Sequence, residues 1–239
     1  MAGFNWDENF MLNVARGKVR GARLVNIFGH NNSQGTTFRT VWELSNTTDF
    51  AKPATARQMT VTSAANATDN GVVVRIIGLD ANYAEIAENV TLNSTTPPAT
   101  TQSFLRINTV VTVSGNATGD ISVKGPTGTT IYAYILAGTG KSQAAIYTVP
   151  AGRCLYLYRI DGFMNDASAA KPGEFRNKST LANGTILRVA DTPFINQMNI
   201  QRRVPFKYDE KTDVEFQIRS LSGTNLCGVF GEAIEIIED

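Results

Sequence analysis

Asp213-Val214-Glu215-Phe216-Gln217-Ile218-Arg219 alternates polar and apolar residues without a break. Successive side chains on an extended chain point to opposite faces, so this stretch carries one apolar face and one charged face. On a helix the same residues would mix the two kinds. The pattern predicts a half-buried antiparallel strand with its charged face in water. A period of two also runs through the upstream chain. Gln58 to Ser63 alternates, Asp69-Asn70-Gly71 signals a turn before Val72 to Ile77, and Ser103 to Val113 is a long β-like run. Ser94 to Thr101, with Pro97-Pro98, reads as a loop. Asn116 to Gly119 and Gly125 to Gly128 read as turns before the short runs Asp120 to Lys124 and Ile131 to Leu136.

Composition agrees with this reading. The 239 residues are 42% apolar and 18% charged, and the charged share is below the usual quarter. Thr, Asn, Ala, Gly and Val fill the gap, which suits strands rich in β-branched residues and turns rich in Asn and Gly. The predicted fold class is all-β, two tandem antiparallel β-sandwiches after a short arm. Residues 1–20 form the arm, 21–143 a first sandwich of seven or eight strands, and 144–239 a second, jelly-roll-like sandwich. Within the arm, Asn5 to Arg16 has the spacing of a short amphipathic helix with Phe10, Met11 and Val14 on one side. Within the second sandwich, Ala144 to Val149 and Cys154 to Ile160 read as a hairpin about Pro150-Ala151-Gly152. Further strands are expected at Thr185 to Ala190, Asn199 to Val204 and Cys227 to Ile237, with Pro205 to Lys211 a loop.

The formal net charge is +1, so no global field gathers nucleic acid or an acidic membrane. Arg16, Lys18, Arg20 and Arg23 form a local basic cluster. It reads either as a solvated strand edge or as a contact for an acidic neighbouring subunit, and no aromatic interleaving supports nucleic acid. The N-terminus lacks a basic region followed by an apolar run, so no signal peptide is expected. No apolar run approaches the ~20 residues needed to cross a bilayer. The expectation is a soluble protein made in a cytoplasm.

No residue set points to catalysis, a cofactor or a metal. Gly138-Thr139-Gly140-Lys141-Ser142 resembles the end of a phosphate loop, but Ile135 stands where that loop needs glycine and a strand follows where it needs a helix. His30, the single histidine, sits among Asn, Ser and Gly and reads as a loop residue without a nucleophile elbow. Asp80, Glu85 and Glu88 read as turn chemistry and solvent-facing charge rather than a glycosidase pair. Asn66-Ala67-Thr68, Asn89-Val90-Thr91 and Asn116-Ala117-Thr118 follow from composition. Cys154 and Cys227 read as buried thiols in a reducing compartment, with a disulfide within or between chains as the alternative. Tyr156 and Tyr158 share one strand face and serve packing, a subunit contact or a carbohydrate platform.

Three stretches carry a family resemblance. Gly78-Leu79-Asp80-Ala81-Asn82-Tyr83 leads through Glu88-Asn89-Val90-Thr91-Leu92-Asn93 and a Thr-rich loop to Ser103-Phe104-Leu105-Arg106-Ile107. Ile146-Tyr147-Thr148-Val149-Pro150-Ala151-Gly152 follows. Together they resemble virion proteins of tailed bacteriophages, over roughly residues 20 to 239. The resemblance implies a non-enzymatic structural role in a virion assembled in the bacterial cytoplasm, through contacts with itself and with other virion proteins. A neck, collar or tail-ring position is favoured. The alternatives are a decoration protein clamping capsomers and a receptor- or glycan-binding tail module.

Overall fold

The computed structural model describes residues 8–165 and 170–238. The chain is nearly all β, 55% strand and 3% helix, as its sequence predicts. It runs α1 (Glu8–Ala15), β1 (Ala22–Gln34), β2 (Arg39–Thr40), β3 (Thr60–Ser63), β4 (Val73–Leu79), β5 (Glu85–Thr91), β6 (Arg106–Ser114), β7 (Ile121–Lys124) and β8 (Ile131–Ile135). It continues β9 (Ile146–Thr148), β10 (Arg153–Asn165), β11 (Pro172–Thr180), β12 (Ile186–Ile195), β13 (Gln197–Tyr208), β14 (Asp213–Ser220) and β15 (Asn225–Ile237).

The larger sandwich has a front layer β1-β15-β10-β13 and a back layer β12-β11-β14, with β2 and β9 both paired to β14. β13 and β12 share only the pair Ile195↔Gln197, where the path turns from one layer into the other. This is a jelly-roll order. The smaller sandwich, β3-β7-β8 against β5-β4-β6, lies in sequence between β2 and β9 and has a separate core around Met59, Ile76 and Phe104. The two sandwiches are therefore nested rather than tandem. β1 and β2 fall inside the predicted 21–143 unit yet pair with C-terminal strands. β1 matches β15 from Ala22↔Ile236 to Asn31↔Cys227. Alternation identifies a strand but says nothing of its partner.

Other expectations are corrected by the same pairing. The turn at Pro150-Ala151-Gly152 does not close a hairpin, because β9 pairs with β14 while β10 pairs with β13 and β15. Pro205 to Tyr208 is strand rather than loop, held by Phe206↔Leu157 and Tyr208↔Leu155. β11 is unassigned by the sequence reading because its inward positions after Phe175 are Asn177 and Ser179. Both are buried, and Asn177 donates to the Tyr208 hydroxyl at 2.6 Å. α1 packs against β1, while the predicted helical residues Asn5 to Asp7 lie outside the described residues. The helix ends on Gly17 at φ +67°, with Lys18 N–H bonded to the Asn13 carbonyl, as a left-handed cap requires.

Cys154 lies opposite Ile236, and Cys227 opposite Met164. Ten residues of β10 separate those rungs, roughly 30 Å at strand rise. An intramolecular disulfide is excluded, since bridged Cα atoms lie within about 7 Å. Both thiols are free and buried, and burial pushes each up to about 12.

The two layers meet at Phe216. A Cβ built on Gly231 of the front sheet would stand 2.5 Å from the Phe216 ring and 3.3 Å from Leu157. Phe175 meets the same ring edge-on, with centroids 5.7 Å apart. Gly231→Ala is expected to destabilise the protein by about 1–3 kcal/mol through overpacking, read as a lower urea midpoint. An unchanged midpoint would contradict this facing of the layers.

Candidate functional site: a charged seam and an exposed rim

The charged face of β14 is not in water. Asp213 is 4% exposed and Glu215 5%, because the inserted sandwich supplies cations against them. Arg106, at the start of β6, grips Asp213 with two nitrogens at 2.8 and 3.1 Å. Lys52 reaches Glu215 at 2.6 Å and Asp213 at 3.1 Å. Thr148 donates to Asp213 and Thr40 to Glu215, each at 2.6 Å. Burial alone would raise both carboxyls. The Arg106 hydrogen bond and the Lys52 charge overcome it for Asp213, and Lys52 with Lys178 for Glu215, so both titrate below the ordinary range.

A second cluster closes the seam on its other flank. Glu235 on β15 is fully buried and accepts the Tyr147 hydroxyl. Arg23 lies 2.7 Å and Arg153 3.2 Å from it. Glu85 of the insert pairs with the same Arg23. Arg23 is thus engaged in ion pairs with its side chain half-exposed, while Arg16, Lys18 and Arg20 are exposed beyond α1. Glu85, read as solvent charge, is a seam residue. The other carboxylates of that stretch organise backbone. Asp80 accepts the Asn82 and Ala84 amides, and Glu88 accepts those of Thr101 and Gln102.

His30 is a β1 residue, not a loop residue, and its amide bonds the Gln143 carbonyl. Gly138 to Ser142 is a turn whose Ser142 hydroxyl accepts the Val110 amide, with strand following. Tyr156 donates to Glu238 at 2.9 Å. Tyr158 stands at a register shift of β10, half-exposed. No group of three or more metal-ligating side chains occurs among the described residues. No helix among them is long and apolar enough to cross a membrane.

The sequence reading missed the exposed rim. β12 and β13 diverge after their single pair, and both carry apolar side chains outward: Ile186 is 60% exposed, Ile195 65% and Val204 73%. Val204 sits in a wide bulge of β13, where Arg202 to Pro205 oppose Tyr158 alone. It also missed a groove of about 570 Å³ on the outer face of the front sheet, walled by Phe28, Phe163 and Phe230. An aromatic on each of three strands gives no local sequence signal. Only the register brings them together.

No protein-family model matches the chain, and neither does any curated protein sequence. Among solved structures, the VP2 subviral particle of infectious bursal disease virus aligns over 92% of this chain and 72% of its own. Identity is 13% and the TM-score 0.22. A structure of the Gt strain of that virus aligns over 90% and 72%, at 11% identity and a TM-score of 0.20. Likeness at these scores carries no argument about role, and the fold stands on the strand register above.

Two outcomes are expected at the seam. Arg106→Ala leaves Asp213 buried without its main partner and costs about 3–5 kcal/mol, measured by chemical denaturation. A cost under about 1 kcal/mol would mean that the seam is hydrated. Glu43 tests the pH response. One of its oxygens accepts the Gln143 amide at 2.6 Å, the other is buried without a partner, and burial raises the carboxyl to about 7. A raised acid favours the folded state fully below its unfolded value near 4.5, and that advantage is lost as pH rises through about 7. Glu43→Gln should therefore flatten the fall in stability between pH 5 and 8, and an identical slope in both proteins would count against it.

Proposed function

We propose that this chain is a non-enzymatic structural subunit of a tailed-phage virion that assembles with copies of itself and with other virion proteins, at a neck, collar or tail ring. The observation that carries the reading is the exposed rim of β12 and β13. Two diverging strand edges bear Ile186, Ile195 and Val204 outward, beside Arg188, Arg202 and Arg203. Monomeric domains blunt such edges or cover them. Here the bulge and Pro193 limit open-ended strand pairing while the apolar side chains stay available to a neighbour. A head-to-tail contact through this rim closes into a ring when the rotation between subunits allows it. The three phage-like motifs support the virion setting. The jelly-roll sandwich agrees with it, since that architecture serves viral shells as well as lectins, although fold alone does not assign a role.

The test joins copy number to assembly. Quantitative mass spectrometry of purified virions is expected to give roughly six to a few dozen copies per particle, the count of a symmetric ring. Hundreds of copies would point instead to a decoration protein on the head, and absence from virions would remove the virion reading. In the purified protein, the double variant Ile195→Asp, Val204→Asp is expected to keep its melting temperature, as exposed substitutions do. It should lose the higher oligomer in light scattering.

A further inference from the structure

The β11–β12 hairpin ends in a projecting finger. Thr180 is the last β11 residue to pair with β14, across from Asp213. Beyond it the turn is closed by the Leu181 amide on the Thr185 carbonyl and the Gly184 amide on the Leu181 carbonyl. Residues 182–188 are all exposed. Ile186 and Leu187 are neighbours on a strand and so point to opposite faces, yet Ile186 is 60% exposed and Leu187 44%. Leu187 shares the inward face with its partner Ser179, which is buried. It stays open because β13 has diverged from β12 there. A flat surface covers one of two opposite faces. Covering both takes a socket.

The outer face of the front sheet offers a socket. Phe28 of β1 and Phe230 of β15 are directly opposed, and Phe163 stands one row further along on β10. The groove they wall is about 570 Å³, and Phe28 is 37% exposed. Contiguous apolar surface of this kind marks a contact site. Charge agrees with the match. Asp161 and Glu232 beside the groove share the Arg159 guanidinium, at 2.7 and 3.7 Å, which leaves one negative charge over. Arg188, next to Leu187, is exposed with no described carboxylate in ion-pair reach.

Finger and groove lie on opposite layers and at opposite ends of the larger sandwich. A Cβ at Gly173 would stand 3.1 Å from the Met164 side chain. The end of β10 that bears Phe163 therefore lies over the start of β11, roughly 23 Å at strand rise from Thr180. No copy can place its finger in its own groove.

We infer that the β11–β12 finger of one copy seats in the Phe28–Phe163–Phe230 groove of the next, covering Ile186 and Leu187 and bringing Arg188 beside Asp161 and Glu232. The inference rests on the reading of the rim as an assembly edge, and it names the surface that the rim meets. The contact is heterologous, since each copy gives a finger and receives one.

The experiment is sedimentation velocity of the purified full chain over a concentration series. The finger variant, Ile186→Asp with Leu187→Asp, is expected to weaken self-association at least tenfold, about 1.4 kcal/mol, at an unchanged melting temperature. The groove variant Phe28→Ala should weaken it likewise. Gln197→Arg, exposed at the groove edge, keeps the test open where Phe28→Ala lowers the melting temperature. Mixed together, the finger and groove variants should form a complex of two chains and nothing larger, because one intact finger then meets one intact groove. A mixture that does not associate would overturn the inference. If both variants keep the wild-type oligomer while Ile195→Asp, Val204→Asp dissolves it, this pairing falls and the rim reading stands. A wild-type chain that stays monomeric at about 1 mM would overturn both.

Discussion

Asp213 and Glu215 sit on the back of β14 with almost no water to solvate them, and the cations that neutralise them come chiefly from another sandwich. Removing a carboxylate from water costs several kcal/mol, and only close, well-oriented partners offset it. The seam provides them: a two-pronged Arg106, a shared Lys52 and two threonine hydroxyls, with Lys178 of the neighbouring strand behind. The jelly roll's back layer is therefore incomplete until the insert is seated. Two separate apolar cores are coupled through a polar contact.

Gly78–Tyr83, Ser103–Ile107 and Ile146–Gly152 meet at this seam. A Cβ at Gly78 would stand 2.1 Å from the Arg106 carbonyl, so glycine is what lets β4 and β6 approach there. Asp80 then closes the turn, Tyr83 takes φ +63°, and its carbonyl accepts the Ala151 amide from the Pro150-Ala151-Gly152 turn. The Tyr83 ring also lies 5.7 Å from the Arg106 guanidinium. Motifs some seventy residues apart are one structural unit, and that unit joins the two sandwiches.

Strands were legible where one face of each was apolar. β4, β7 and β14 follow alternation or an apolar run because side-chain direction is a local property of extended chain. β11 was not, since Asn177 and Ser179 point inward and satisfy themselves with partners that sequence does not reveal. Partnership was opaque for the same reason. β1 finds β15 about two hundred residues away, and the insert between β2 and β9 carries no boundary signal in composition. The charged face of β14 misled because alternation separates polar from apolar without saying whether water or a cation faces the polar side. Arg23 shows the converse: four basic residues in eight positions looked like one patch, yet the fourth is held by Glu235 and Glu85.

That division also sorts the charges of the chain by what they do. Asp213, Glu215 and Glu235 are consumed by the seam, and Asp69, Asp80 and Glu88 by backbone amides. No described carboxylate lies within ion-pair reach of Arg16, Lys18, Arg20, Arg188 or Arg203, all of them exposed. These six acids are thus spent on internal architecture, while those five cations remain outside. Salt screens these exposed charges far more than the buried pairs. Folding and association therefore draw on different charges of the same chain, and the nested topology is what separates them.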